Sequence, residues 1–297
     1  MKAPVQRASR RTLAVPPAGD HHAAPLARLL RIELRTEPRR PRTLVALVVL
    51  ALVPVVIGLG VSVRAADPGA DRPGPGLGLI TAVYGNGMML PITALGVALH
   101  LLLPLCVCIA AADALAGEAA HGTLRGLLLA PVSRISLVWI KAFGVLAVAV
   151  LQVAVVTGTG LLAGLILVGG GDQLLTLSGS SVGLGAALAR VALAAGWTVL
   201  QVAAVGAVAL AISAFTDHPV VVLATVLGGA IVFGVLGAIP AMDWLRPVLL
   251  TSGWASLSDV LRDPVPGDGL THSALLAGVY LVIGMTGAIV GTLRREA

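Results

Sequence analysis

Charge is scarce in this chain of 297 residues: Asp, Glu, Lys and Arg together make up 11% of it. A soluble domain carries about 25%. Hydrophobic residues are 57% of the chain and the mean hydropathy is +0.98. So few polar groups cannot cover a water-facing surface, which excludes an ordinary soluble domain and calls for lipid as solvent. Aromatics are also few, at 3%, so there is no platform on which bases could stack. The net charge of +6 therefore does not mark a nucleic-acid binder. Lysine occurs only at Lys2 and Lys141, each followed by alanine. A phosphate-cradling P-loop needs Lys before Ser or Thr at the end of a Gly-rich turn. The chain cannot hydrolyse ATP by that route. Cysteine occurs only at Cys106 and Cys108, inside an apolar run. They are too close for a normal disulfide, and no zinc-type spacing accompanies them. They read as small core residues.

Groups that could do chemistry are equally sparse. Asp113, Glu118 and His121 cluster at one end of an apolar run, and Glu118 and His121 share a helix face. No second segment offers matching ligands, so the cluster reads as a solvated helix end. His100 lies inside an apolar run, where a charge is costly. It either faces a polar path or bonds a neighbouring helix as a neutral group. Gln152, Arg190 and Gln201 pose the same choice, with Arg190 near enough to a span end to snorkel. An ion-driven secondary transporter needs embedded ionisable groups, and the apolar runs are nearly bare of acids. An intramembrane enzyme needs carboxylate, His or Ser/Lys sets at one depth, and none converges. Ser9-Arg10-Arg11-Thr12-Leu13 resembles a twin-arginine start. The stretch Val15-Pro16-Pro17 follows where an apolar region should, so no export signal is read there.

Six apolar runs are present, at about 43–63, 88–112, 137–168, 186–214, 219–239 and 272–292. Each can cross a hydrocarbon core of about 30 Å, which takes roughly 20 helical residues. The runs are continuous rather than alternating, which favours helices over a barrel. The expected fold is an all-α integral membrane protein with six spans in residues 43–292, between a basic tail (1–42) and a short tail (293–297). Residues 24–37 form an expected amphipathic surface helix, with Leu26, Leu29, Leu30 and Leu34 on one face and Arg28, Arg31 and Arg35 on the other. Pro38 and Pro41 break it. With the N-terminus inside, 15 basic residues fall on the cytoplasmic side and five on the outer side. The positive-inside rule therefore puts both ends in the cytoplasm. The small Gly/Ser-rich loop at 169–185 includes Leu177-Ser178-Gly179-Ser180-Ser181, which is expected to be flexible. An outer loop at 240–271 carries Trp244 and Trp254, amphipathic rings that favour the membrane interface, and is expected to form short helices in its first half. Gly160 with Gly164, and Gly287 with Gly291, are small-residue steps that let helices approach closely. Arg outnumbers Lys 18 to 2, and Ala and Gly abound. That association fits a bacterium with a GC-rich genome.

The segment 117–141, GEAAHGTLRGLLLAPVSRISLVWIK, is the most patterned. Gly122 and Thr123 form a helix start. Leu124, Leu127 and Leu128 share a face, Pro131 ends the run, and Ser133 can cap the next span. An apolar face flanked by charges either lies on the lipid interface or fills a groove on a partner.

Glu118, Gly122-Thr123-Leu124-Arg125, Leu127-Leu128, Pro131, Ser133-Arg134 and the following Lys141 together resemble the signature of ABC type-2 permeases. These are membrane subunits of ATP-binding-cassette exporters, including the group similar to the membrane subunit of the nitrous-oxide-reductase maturation system. The specific part of the likeness covers about 25 residues. The lead-in helix, six spans and long outer loop before the last span match in plan. Pro38 and Pro41 depart from the usual lead-in. The resemblance implies two permeases, identical or related, and two separate ATPase subunits that bind ATP and Mg. It implies no cofactor in this chain. It further implies that residues 118–134 are a coupling helix between spans 2 and 3, and that the lead-in helix with spans 1, 2 and 5 lines a central path. The expected location is a bacterial cytoplasmic membrane. The substrate is not legible.

Overall fold

A computed structural model describes residues 41–65, 83, 85–117, 134–170 and 173–294. Helix α1 runs Pro41–Ala65. A 3-10 turn at Gly87–Met89 leads into α2, Leu90–Leu99, and α3 follows at Leu102–Ala112. A π turn, Asp113–Gly117, ends that arm. Helix α4, Arg134–Ala163, extends through a second π turn at Gly164–Val168. A small antiparallel hairpin, β1 (Gln173–Leu175) with β2 (Ser181–Gly183), precedes α5, Leu184–Phe215. Helix α6 is Pro219–Ala238, and α7 is Gly267–Arg294. Between them two 3-10 segments, Pro240–Val248 and Leu250–Leu261, order the first part of the 240–271 loop. The segments' order agrees with the expectation from their apolar and Trp content.

Among the described residues, five helices are long and apolar enough to cross a membrane, and α2 with α3 makes a sixth if the bent pair counts as one span. These helices form because a chain in hydrocarbon must satisfy its backbone groups within each segment. The continuous helix expected over 88–112 is corrected by the structure. It breaks at His100 and Leu101, with a bend of 56° between the two arms. Pro104 supplies the reason. It has no N–H to offer the His100 carbonyl four residues back, and its ring crowds that oxygen. Leu101 takes φ −145° and ψ −51°, outside helical geometry. The ladder resumes where Leu105 N–H donates to the Leu101 carbonyl at 2.9 Å.

The bundle has two chemically different ends. At one, Arg42 reaches both carboxylate oxygens of Asp113, at 3.3 and 3.2 Å, and Arg134 donates to the Leu293 carbonyl at 3.2 Å. At this basic end, buried Ser213 on α5 serves the π turn. It accepts from the Ala116 N–H at 2.9 Å and donates to the Ala112 carbonyl at 3.3 Å. At the opposite end the hairpin is tied into the bundle. Asn86 donates to the Leu175 carbonyl at 2.8 Å, and Leu177 N–H donates to the Leu261 carbonyl at 2.8 Å. Arg190 pairs with Asp263 at 3.1 Å and also donates to the Arg262 carbonyl at 3.0 Å. The loop expected to be flexible at 177–181 instead makes most of the tight turn of that hairpin and the first residue of β2, with Gly179 at φ +84°, which a side chain would strain.

Small residues set the helix contacts. A Cβ on Gly160 would lie 2.7 Å from the Pro91 Cα, and one on Gly164 would collide with the Gly87 backbone. On α7, Gly284, Gly287 and Gly291 face Ala207, Ala211 and Ala214 of α5. Helix α7 packs more extensively on α5 than on any other element. A polar seam lies within that contact: the Trp197 Nε1–H donates to Ser273 Oγ at 3.2 Å, and the Gln201 amide donates to the Ser273 carbonyl at 3.1 Å. Gln201 therefore bonds a neighbouring helix. Both Cys106 and Cys108 are free thiols.

Candidate functional site

Nearly all of the segment singled out from sequence falls outside the described residues: Glu118, Gly122, Thr123, Leu124, Arg125, Leu127, Leu128, Pro131 and Ser133. So do Arg28, Arg31 and Arg35 of the lead-in. Arg134 is described. It starts α4 at the basic end, and its bond to Leu293 sets a cation on the carbonyl-rich C-terminus of α7, where the helix dipole favours it. Asp113, from the acid cluster, is engaged by Arg42. Among the described residues no group of three His, Cys, Asp or Glu side chains could hold a metal.

The break in the second span creates a different site. A cavity of about 530 Å³ opens between the break, one face of α6 and the 3-10 segments. Its size lies within the range of small-molecule pockets, roughly 300–1,000 Å³. Leu101, Leu227, Ile231 and Phe233 supply apolar wall, while Gly234 and Gly237 keep the α6 side open. His100, Arg246, Thr251, Ser252 and Trp254 supply polar groups.

Each polar group's state follows from its partners. The His100 Nδ1 is 2.7 Å from the Gly96 carbonyl. A carbonyl only accepts, so Nδ1 carries the proton, and in the neutral ring Nε2 is an acceptor. The ring meets Trp254 edge to face, with centroids 6.0 Å apart at 85°. Arg246 Nε donates to the Gly237 carbonyl at 2.9 Å, and Asp243 balances its charge at 3.1 Å. Ser252 donates to the Arg246 and Leu249 carbonyls at 2.6 and 2.7 Å. Thr251 Oγ1 and Trp254 Nε1 are buried with no partner among the described residues. His272 bonds the Pro247 carbonyl at 3.2 Å, and Tyr280 donates to the Val248 carbonyl at 2.9 Å. Those bonds hold the 3-10 wall against α7.

Sequence reasoning flagged His100 but not its partners. Trp254 was expected at the membrane interface with Trp244. Trp244 is 75% exposed, whereas Trp254 is only 3% exposed and packs on His100. The available signal was Pro104, four residues after an intramembrane histidine. Two further cavities are plainer. One of about 320 Å³ between α4, α5 and α7 is lined by apolar groups such as Trp139, Phe143 and Met285, with nothing to orient a polar ligand. One of about 20 Å³ beside Gln152 has room for a single water. Both amide atoms of Gln152 are buried there without a partner among the described residues.

Large apolar side chains face outward along the long helices, including Val48 and Val56 on α1, Ile231 and Val235 on α6, and Leu275 and Val282 on α7. With the helix lengths, this defines a multi-pass helical membrane protein. The profile of the family described as ABC-2 family transporter protein matches residues 27–253, more than half of the chain. The chain belongs to that family and is a membrane permease of the ABC transporter type, a transport subunit rather than a catalytic one. No curated protein matches the chain.

Proposed function

We propose that the chain is the transmembrane subunit of an ABC exporter in a bacterial cytoplasmic membrane. It would form part of the substrate path and take its energy from a separate ATPase that binds ATP and Mg. The observation that carries this reading is the family match over 27–253, a range that includes residues 118–134 and the first five apolar runs. The basic end, with Arg42, Arg134 and Arg294, would face the cytoplasm by the positive-inside rule. Residues 118–134 would dock on the ATPase. Leu124, Leu127 and Leu128 would enter a groove, Arg125 and Arg134 would meet acidic rim groups or headgroups, and Glu118 would orient the segment. Arg28, Arg31 and Arg35 would sit among anionic headgroups. A second copy, or a related permease, would pair across α1 and α6, whose faces are among the least covered of the long helices. The bent second span would lie beside that path.

Two measurements test the assembly. Co-purification from native membranes should recover a P-loop ATPase and two permease copies per complex, and this chain alone should not hydrolyse ATP. A complex with a single permease would overturn the paired arrangement. For topology, cysteines placed at Gly74, Gly179 and Asp268 should label from outside intact cells, whereas those at Thr123 and Glu296 should not. Outside labelling at Thr123 would overturn the six-span reading.

A further inference from the structure

We propose that the cavity at the break of span 2 binds an uncharged amphiphile whose head carries carbonyl or hydroxyl oxygens. This deepens the reading of spans 2 and 5 as path-lining and names the class of ligand the path would take. Four observations converge. The cavity is large enough for a small amphiphile, and its apolar wall suits hydrocarbon. Two buried donors, Trp254 Nε1 and Thr251 Oγ1, lack partners among the described residues. An indole N–H can only donate, so the missing partner is an acceptor oxygen. In the neutral ring, with Nδ1–H bonded to the Gly96 carbonyl, His100 Nε2 would accept a hydrogen bond from a head-group hydroxyl.

Charge decides between heads. Arg246 is the one permanently charged side chain lining the cavity among the described residues, and Asp243 already neutralises it. An anionic head would meet no cation on the lining that lacks a carboxylate partner, so the cost of desolvating it would go uncompensated. A bare hydrocarbon would leave both donors unsatisfied. An oxygenated, uncharged head avoids both penalties.

The test uses the full chain in lipid nanodiscs with a photoactivatable monoacylglycerol as probe, and needs neither ATP nor an ATPase. Cross-links should concentrate at 227–238 and 251–255. Excess plain monoacylglycerol should remove them. Lysophosphatidylglycerol of the same chain length should compete about tenfold more weakly or worse, and dodecane should not compete. The double variant Thr251→Val with Trp254→Phe removes two hydrogen bonds and should weaken binding about tenfold. Gly234→Leu provides an independent check. A Cβ there meets nothing within 4 Å, so the side chain can fill the cavity without disturbing the bundle or the polar groups. It should abolish the cross-links while leaving the folded yield unchanged. An organic extract of the wild-type protein, compared with Gly234→Leu, separates the sources. A bulk membrane glycerolipid lost from the variant marks the bilayer as donor, and another oxygenated amphiphile marks a cargo. Cross-links spread evenly over the lipid-facing helices, equal competition by dodecane, or labelling unchanged in Gly234→Leu would each overturn the proposal. The ATPase would still co-purify in that event, so failure here is distinct from failure of the permease reading.

Discussion

Leu127→Asp should insert and fold as the parent does and yet lose its ATPase. The substitution lies at the centre of the apolar face of Leu124, Leu127 and Leu128, in a segment outside the apolar runs. Insertion should therefore be unaffected. Truncating one buried leucine at a docking contact removes about 2 kcal/mol. At tenfold per 1.4 kcal/mol, that is roughly a thirtyfold loss of affinity. Aspartate goes further, because it forces a carboxylate into the groove. Pull-down of the ATPase and transport in vesicles should both fall to background, while the yield of monodisperse protein stays level. If the face merely lay on lipid, the partner would still co-purify. Normal docking and parental transport in Leu127→Asp would remove the coupling role from this segment. Glu118→Ala should behave differently, slowing transport while keeping the partner.

Gly284→Val should unfold the bundle far more readily than the same change six residues earlier. Helices α5 and α7 meet backbone to backbone at Gly284, where a Cβ would lie 2.5 Å from the Ala207 carbonyl carbon and 2.7 Å from its oxygen. Neither atom belongs to a flexible side chain that could swing away. Overpacking costs about 1–3 kcal/mol when side chains can adjust, and a rigid backbone puts this case at about 3 kcal/mol or more. Gly278 is on the same helix, but a Cβ there meets nothing within 4 Å. Gly278→Val should be neutral or slightly stabilising, since Val has the better helix propensity. Thermal unfolding of the two purified variants in one detergent makes the comparison direct. Equal midpoints would mean that the α5–α7 contact is looser than the structure places it.

The small-residue steps on α4 and α7 were legible because close approach has a simple requirement, the absence of a side chain, and that is visible as glycine at helical spacing. Gly160 and Gly164 accordingly meet Pro91 and Gly87, and Gly287 and Gly291 meet Ala211 and Ala214. Arg190 was legible only in part. Its place at a span end suggested snorkelling, but its ion pair with Asp263 depends on a residue 73 positions away. The Gly/Ser-rich composition of 169–185 predicts a flexible loop at 177–181, where the structure forms the 173–183 hairpin. Its order comes from bonds to Asn86 and Leu261, partners that no local pattern announces.

The sequence by itself determined the membrane class, the helical character of the spans and the absence of a P-loop. Each depends on local composition: hydrocarbon demands internal backbone bonding, and a P-loop demands a lysine in one place. Only the tertiary structure decided where the second span breaks and what the break serves. Pro104 can end a hydrogen-bond ladder wherever it stands, but the broken helix becomes one wall of a cavity only because α6 and the 250–261 segment supply the others. His100, Thr251 and Trp254 converge there from positions up to 154 residues apart. Their convergence follows from how the helices pack, which composition within any one run does not encode.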